Sequence, residues 1–316
     1  MSLGTAASWV NCAMRALVFH NPTAGANGHE KDSILSALKL ADINATYFSV
    51  KKDDIEKAFD KDADLIVAAG GDGTIAKVIK ALPDRSLPIA ILPLGTANNI
   101  ARSLDIAGTP QELVETWKIK HSFSLDIGAV RGIEDTTLFV ESFGIGLFGE
   151  FLQRAEKKKK AEGADNLRKG RETLQKIIKD AKPLALDLVI DGKPLRGEFI
   201  GVEILNTPFT GPGLPLAPKA DAGDGKFDVV CFKANERKAL IEWLEAPHEK
   251  APPATIKQGS KLEVSWEKAP HRVDDRSFKE HDMMQAAKIG CEAKRVRVLV
   301  PMKQPAQLKV EERVAK

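Results

Sequence analysis

Three cysteines in 316 residues, at positions 12, 231 and 291, are too few, too scattered and odd in number to form a disulfide framework or a zinc site. A reducing, cytoplasmic setting is the expectation that follows. No stretch of about 18 consecutive apolar residues is present, so no segment reads as a transmembrane helix. The first thirteen residues lack both a basic start and a sustained apolar core, which argues against a signal peptide. Met14 reads as the natural start, with the residues before it a leader or a remnant of cloning. A formal net charge of only +3 gives no reason to expect a nucleic-acid partner. There is also no GxxxxGK[ST] segment, which excludes a P-loop nucleotide site.

What is present is an ordinary globular composition, 43% hydrophobic and 29% charged, with length enough for about two domains. The most informative residues are Gly70-Gly71-Asp72-Gly73-Thr74, between the apolar run Leu65 to Ala69 and a helical pattern over Ile75 to Leu82. Glycines at a strand-to-helix turn let backbone approach an anion, and the helix start offers free N–H groups and a positive dipole end. Thr74 is expected to cap the helix or to donate its hydroxyl to a phosphate oxygen. Gly71-x-Gly73-x-x-Ala76 also fits a loose dinucleotide fingerprint. Positions 91 to 99 hold no carboxylate, however, and this disfavours an NAD site of that kind.

The first part alternates strand and helix. Strands are read at Ala16 to His20, Ala45 to Val50, Leu65 to Ala69 and Ile89 to Pro93. Helices are read at Glu30 to Ala41, Ile55 to Phe59, Ile75 to Leu82, Asn98 to Leu104 and Gln111 to Lys118. Short, continuous apolar strands in a βαβ series predict a doubly wound parallel layer with ligands at the strands' carboxyl ends. Three polar turns, 20–25, 70–74 and 94–99, follow such strands.

Beyond residue 121 strands dominate: Ser124 to Val130, Thr137 to Phe143, Leu184 to Ile190, Glu198 to Leu205, Phe227 to Phe232, Lys261 to Trp266 and Val296 to Val300. They predict an antiparallel β-sandwich as a second domain. The fold class is therefore α/β plus all-β. Boundaries are set at 14–130 for the nucleotide-binding layer and 131–304 for the β-rich unit. Helices are expected over Glu150 to Lys182 and near Glu236 to Glu245. Between Arg154 and Lys182 eleven basic residues face five acidic ones. This is either a solvated helical face or a patch for anionic lipid, where each basic residue is worth about 1 kcal/mol. Gly144 to Gly149 matches GxGxxG, but its β-rich surroundings favour close strand packing over a second nucleotide site.

Taken in order, NPTAG at 21–25, GGDGT at 70–74, PLGTANNIARSL at 93–104, LDIG at 125–128, FGIG at 143–146 and DAGDGKFDVV at 221–230 resemble the diacylglycerol kinase catalytic family. That family includes bacterial lipid kinases and sphingosine kinases. The resemblance implies an ATP- and magnesium-dependent kinase that phosphorylates a lipid hydroxyl between two domains. It implies that Asn21, Gly71, Asp72, Gly73, Thr74 and Thr96 line the ATP site and that Asp126 organises a magnesium–water network. Asp221, Asp224 and the carbonyl of Lys226 would hold a structural magnesium. The family's last strand returns to the first domain, which places residues 305–316, and Leu308 to Val314 in particular, there. The lipid acceptor would be met at the membrane surface, in phospholipid biosynthesis. The apolar 206–218 loop and the basic stretch would receive it through peripheral association, and a homodimer stays open.

Two positions break the pattern. The family's DGE motif supplies the catalytic base, and here Asp274, Asp275 and Arg276 take its three places. Asp274 is the preferred base, Asp275 the alternative, and Gly290-Cys291-Glu292 a weaker rival. Asn99 stands where the family usually has aspartate. These departures motivate a second reading, a catalytically weak nucleotide- or lipid-binding regulatory protein. GGDGT alone would also suit an NAD kinase.

Overall fold

The computed structural model describes residues 14–24, 31–117, 121–133, 137–156, 163–292 and 295–301. The chain opens with β1 (Met14–His20), α1 (Lys31–Leu40), β2 (Ile43–Ser49), α2 (Ile55–Ala58), β3 (Leu65–Gly70), α3 (Asp72–Ala81), β4 (Ile89–Pro93), α4 (Asn99–Ser103), α5 (Pro110–Thr116) and β5 (Ser122–Leu125). All six residues of β3 are buried, as a parallel strand covered on both faces requires. β2, β1, β3 and β4 lie side by side in that order, all parallel. Their core includes Phe19, Ile66, Val67 and Ile91 against Ile34, Leu38, Ile75 and Ile79 from the helices.

The chain continues through β6 (Gly128–Arg131), β7 (Thr137–Phe139), β8 (Ser142–Gly146), α6 (Leu147–Glu156), α7 (Gly163–Asp180), β9 (Ala185–Ile190), β10 (Lys193–Leu195), β11 (Phe199–Leu205) and β12 (Phe227–Lys233). It ends with α8 (Arg237–Trp243), β13 (Thr255–Gly259), β14 (Lys261–Glu267), β15 (His271–Val273), β16 (Arg276–Phe278), β17 (Gln285–Cys291) and β18 (Val296–Leu299). Two antiparallel six-stranded sheets result, in the orders β10-β9-β14-β17-β6-β7 and β13-β12-β11-β8-β15-β16. Phe139, Phe143, Phe227, Val264 and Trp266 pack between them. The outer face of the second is covered by α6, α7 and α8 together with the 206–218 segment, so β11 is buried along its whole length.

Three strands read as continuous or as local turn out otherwise. Ser124 to Val130 is two strands: β5 joins the first sheet and β6 the second, so the crossover falls at Asp126–Ile127 rather than after Val130. Thr137 to Phe143 breaks at Val140–Glu141, where the backbone N–H groups bond to the Asp274 carboxylate instead of a ladder partner. Val296 to Val300 is no sandwich strand. As β18 it lies parallel to β4 through Val298 and Ile89 and antiparallel to β5, completing the first sheet. The strand expected over 305–316 lies outside the described residues. The 206–218 segment, expected to meet lipid, buries Leu214 and Leu216 beneath α7 and α8.

Candidate active site

The ends of β1, β3 and β4 are stitched into one rim. Asn21 N–H donates to Ala69 carbonyl at 2.9 Å, and Leu94 N–H to Gly70 carbonyl at 3.0 Å. The Asn21 side chain accepts from Thr23 N–H and hydroxyl at 3.2 and 3.0 Å, fixing its own turn. Gly71 and Gly95 meet backbone to backbone: a Cβ on Gly95 would lie 2.4 Å from Gly71 Cα. Asn98, in the left-handed region at φ 49°, locks the second turn, accepting from Gly95 N–H at 2.8 Å and donating to Gly95 carbonyl at 2.9 Å. Thr96 lies in the bend that this bracing creates.

α3 starts three residues earlier than its apolar pattern suggested. Gly71 is the N-cap and has no capping side chain, which leaves first-turn donors for an external anion. Thr74 is therefore not the cap. It is the third helical residue, buried, with its side chain folded back over Gly70. Asp72 accepts from Ile100 N–H at 2.9 Å and so joins the start of α3 to the start of α4. Burial raises its pKa above the usual carboxylate value, with the Asp274 charge adding to the effect.

The facing wall comes from the sandwich. A cleft of about 160 Å³ lies between the two, lined by Asp72, Gly73, Asn99, Glu141, Asp274 and Asp275 among others. Asp274 and Asp275 form the two-residue turn between β15 and β16, with Asp274 at φ 51°, a conformation that favours glycine. Asp274 is buried and fully engaged. Its oxygens accept from Val140 N–H (3.0 Å), Glu141 N–H (2.8 Å) and Lys80 Nζ (2.8 Å), the last from α3. These bonds join the β15–β16 turn to the start of β8 and to α3, so Asp274, the expected base, also clamps the two domains together. Asp275 is exposed and reaches Gly73, where a Cβ would lie 2.2 Å from its Oδ2. Arg276 stays out of the cleft lining, with its guanidinium over Phe278 at 5.2 Å. Glu292, just past β17, pairs with Arg131 of the neighbouring β6 at 2.6 Å.

Behind the turn sits a buried network that the sequence reading missed. Arg272 donates to Glu203 Oε2 at 2.8 Å, to Thr210 Oγ1 at 2.5 Å, to the Asp274 carbonyl at 2.8 Å and to Ser142 Oγ. Gly144, in the GxGxxG segment, makes room for it: a Cβ there would lie 1.8 Å from Glu203 Oε1. That segment serves strand packing, as its surroundings implied. Burial pulls the Arg272 pKa down, but Glu203 and Glu141 outweigh it and leave the pKa raised. Glu141 receives the Thr210 hydroxyl on Oε1 and the Asn99 amide on Oε2 at 3.2 Å. Burial, helped by the Asp72 charge, pushes its pKa up to about 7. The available signal was a lone acid inside each of two apolar strands, V-E-S-F and V-E-I-L, since a buried charge needs a partner.

Asp126 lies apart from the glycine rim's contacts. Its carboxylate pairs with Arg295 Nε at 2.5 Å and accepts from Gly225 N–H at 2.6 Å, so it anchors the 221–226 turn. In that turn Asp221 accepts from Gly223 N–H and Asp224 from Lys226 N–H, each at 2.9 Å, and Asp224 also from Gln258 at 3.1 Å. Among the described residues no cluster of three or more His, Cys, Asp or Glu could hold a metal.

A helix-start anion cradle on a parallel sheet, closed by a carboxylate-lined β-sandwich, is the build of a two-domain phosphotransferase. Residues 15–130 match the model of the diacylglycerol kinase catalytic domain, and residues 158–277 that of the YegS C-terminal NAD kinase beta sandwich-like domain. A diacylglycerol kinase of Bacillus subtilis (strain 168) is 30% identical over 69% of this chain and 74% of its own length. A probable lipid kinase YegS-like of Klebsiella pneumoniae (strain 342) is 30% identical over 69% and 72%. The crystal structure of a diacylglycerol kinase from Bacillus anthracis str. Sterne superposes with a TM-score of 0.66 at 19% identity, covering 93% of this chain and 98% of that one. An NAD kinase from Archaeoglobus fulgidus in complex with ATP shares the fold at a TM-score of 0.54 and 18% identity, covering 95% and 99%. The chain belongs to the diacylglycerol kinase family, and its activity is that of a kinase.

Proposed function

We propose that this kinase transfers the γ-phosphoryl group of ATP, with magnesium, to the hydroxyl of a diacylglycerol-like lipid. The observation that carries the reading is the meeting of the α3 and α4 starts, through Asp72 and the Gly71–Gly95 contact, opposite a cleft lined by sandwich carboxylates. The helix starts and glycine turns would bind the phosphates. Asn21 and Thr96 would border them, and Asp126 would support the site through the 221–226 turn. When bound, magnesium neutralises phosphate charge, and the protein's part in phosphoryl transfer is chiefly positioning and electrostatics. Asp221, Asp224 and the Lys226 carbonyl would hold a second, structural ion.

Membrane contact would be peripheral, from the cytoplasmic side; no described helix is long and apolar enough to cross a bilayer. The described basic helix offers less free charge than its composition promised. Arg168 bridges Asp165 and Glu172, and Lys169 pairs with Asp165, while Lys157 to Lys160 lie outside the described residues. The reading is tested by following labelled γ-phosphate from ATP into diacylglycerol, monoacylglycerol, sphingoid bases and phosphatidylglycerol in mixed micelles, with NAD as a further acceptor. Transfer to a lipid, weakened by added salt, is expected. Transfer to NAD alone would make this an NAD kinase. ATP binding without any transfer would make it the regulatory protein that Asn99 and Arg276 suggest.

A further inference from the structure

Asp274 is held by both domains at once, and among the described residues a single side chain, Lys80, holds it from the first. Oδ1 accepts from Val140, Glu141 and Ser142 N–H at 3.0, 2.8 and 3.4 Å, all on the sandwich side. Oδ2 accepts from Lys80 Nζ at 2.8 Å and from Val140 N–H at 3.2 Å. Lys80 belongs to α3, 194 residues away in sequence. Its side chain is 23% exposed and that of Asp274 only 3%, so the two charges meet where water is largely excluded.

The same helix begins in the glycine rim. Gly71 is its N-cap, without a capping side chain, and Asp72 in its first turn binds the start of α4. Lys80 stands roughly 12 Å along the helix axis from Asp72. Gly73, Ala76 and Lys80 are spaced i, i+3 and i+7, which puts them on one face. Gly73 and Ala76 line the cleft with Asp274 and Asp275. The β15–β16 turn lies along that face. Asp275 comes against Gly73, where a Cβ would lie 2.2 Å from its Oδ2, and Asp274 comes against Lys80. One helix therefore carries the proposed phosphate cradle at its start and a grip on the expected base two turns on.

We propose that Lys80 is a positioning residue for phosphoryl transfer: through Asp274 Oδ2 it holds the base in register with the phosphate cradle at the start of α3. The inference rests on the kinase reading above, with Asp274 as base. The acceptor hydroxyl oxygen forms the new bond to the γ-phosphorus while the bond from that phosphorus to the β,γ-bridging oxygen breaks. ADP leaves with the electron pair, and the hydroxyl proton passes to the Asp274 carboxylate. Lys80 acts through Asp274 and stays outside the reacting atoms. Without it the backbone N–H groups still hold Asp274 to the sandwich, but the ion pair to α3 is gone and the base shifts against the donor. A misplacement of about 1 Å costs about a hundredfold in rate.

The test compares the full-length wild type with Lys80→Met and Lys80→Arg in the mixed-micelle assay, with ATP affinity by calorimetry and thermal melting of each protein. K80M is expected to lose about ten- to a hundredfold in kcat, with lipid KM and ATP affinity within about twofold of wild type. K80R returns a cation to the carboxylate and is expected to regain most of the loss. A role in packing alone would not split kcat from KM and ATP affinity in this way. Undiminished kcat in K80M overturns the inference, as does a K80R no faster than K80M. A fall in ATP affinity as large as the fall in kcat also overturns it, since Lys80 would then shape the cradle and not the base. Should K80M lose its cooperative melting transition, Lys80→Gln is read in its place by the same criteria. Failure of both to fold would make the pair structural and contradict the inference. A wild type inactive on every lipid contradicts the kinase reading and this inference together, whereas an active wild type with an equally active K80M contradicts this one alone.

Discussion

Gly71 and Gly95 touch through their backbones, and that contact sets the distance between the two turns proposed to hold the donor. A methyl on Gly95 would meet Gly71 Cα at 2.4 Å and Asn98 Oδ1 at 2.8 Å, neither of which can yield cheaply. Gly95→Ala should therefore push the turns apart, costing roughly 1–3 kcal/mol of stability and most of the ATP affinity. Thermal melting and calorimetry on the same variant check both; intact ATP binding would mean that the turns do not form the cradle. Asp274 makes a related point. The sequence marks it as reactive, and the structure adds that it takes three backbone N–H groups and an ammonium, which tie the two domains together. Glu141 carried a weaker signal, a lone acid inside an apolar run, and its partners Asn99, Thr210 and Arg272 are remote in sequence.

At the scale of elements, β8 and β11 run antiparallel with Gly144 opposite Glu203, and the glycine is what allows a buried Glu203–Arg272 pair inside a sheet. Gly144→Ala should eject one of the two charges. A buried pair with one partner removed costs about 3–5 kcal/mol, so the urea midpoint should fall steeply or the sandwich should not form. A variant as stable as wild type would show that the pair is not held by this packing. Elements read well where local pattern decides them: the apolar runs of β1, β3 and β4 and the glycine turns after β3 and β4 lie where the alternation placed them. The pattern could not show that β5 and β6 part company at Asp126, because both halves are apolar and only sheet pairing separates them. Nor could it place β18 between β4 and β5, a contact across some two hundred residues of chain. β13 and β17 were missed because edge or half-exposed strands carry lysines and glutamine in place of continuous apolar residues. Of the candidate site, the glycine rim was legible in GGDGT and GTANN; Lys80, Arg272 and Thr210 were not, since their partners are remote in sequence.

For the whole molecule, the raised carboxylates set a pH dependence. Glu141 is met by Asp72 from α3, Asp274 and Arg272 from the β15 hairpin and Thr210 from the 206–218 segment, with Lys80 and Glu203 just behind. Its pKa of about 7 lies above its ordinary 4.5, so between those values the folded state holds a proton that the unfolded chain has released. Stability should therefore decrease as pH rises through that window, and Asp72 and Glu203, also raised, act in the same direction. Urea midpoints taken from about pH 5 to about pH 8 should fall for the wild type and fall less for Glu141→Gln. Parallel midpoint curves for the two proteins would remove Glu141 as the source.

Both domains matter to the central claim, because the donor rim and the carboxylate wall belong to different sheets and neither alone makes the cleft. The most direct measurement is the initial rate at which the wild-type protein forms phospholipid from ATP and diacylglycerol in mixed micelles, with and without magnesium. The account predicts magnesium-dependent transfer that matches ATP consumption mole for mole. ATP bound but never transferred to any lipid, by folded protein with magnesium present, would contradict it.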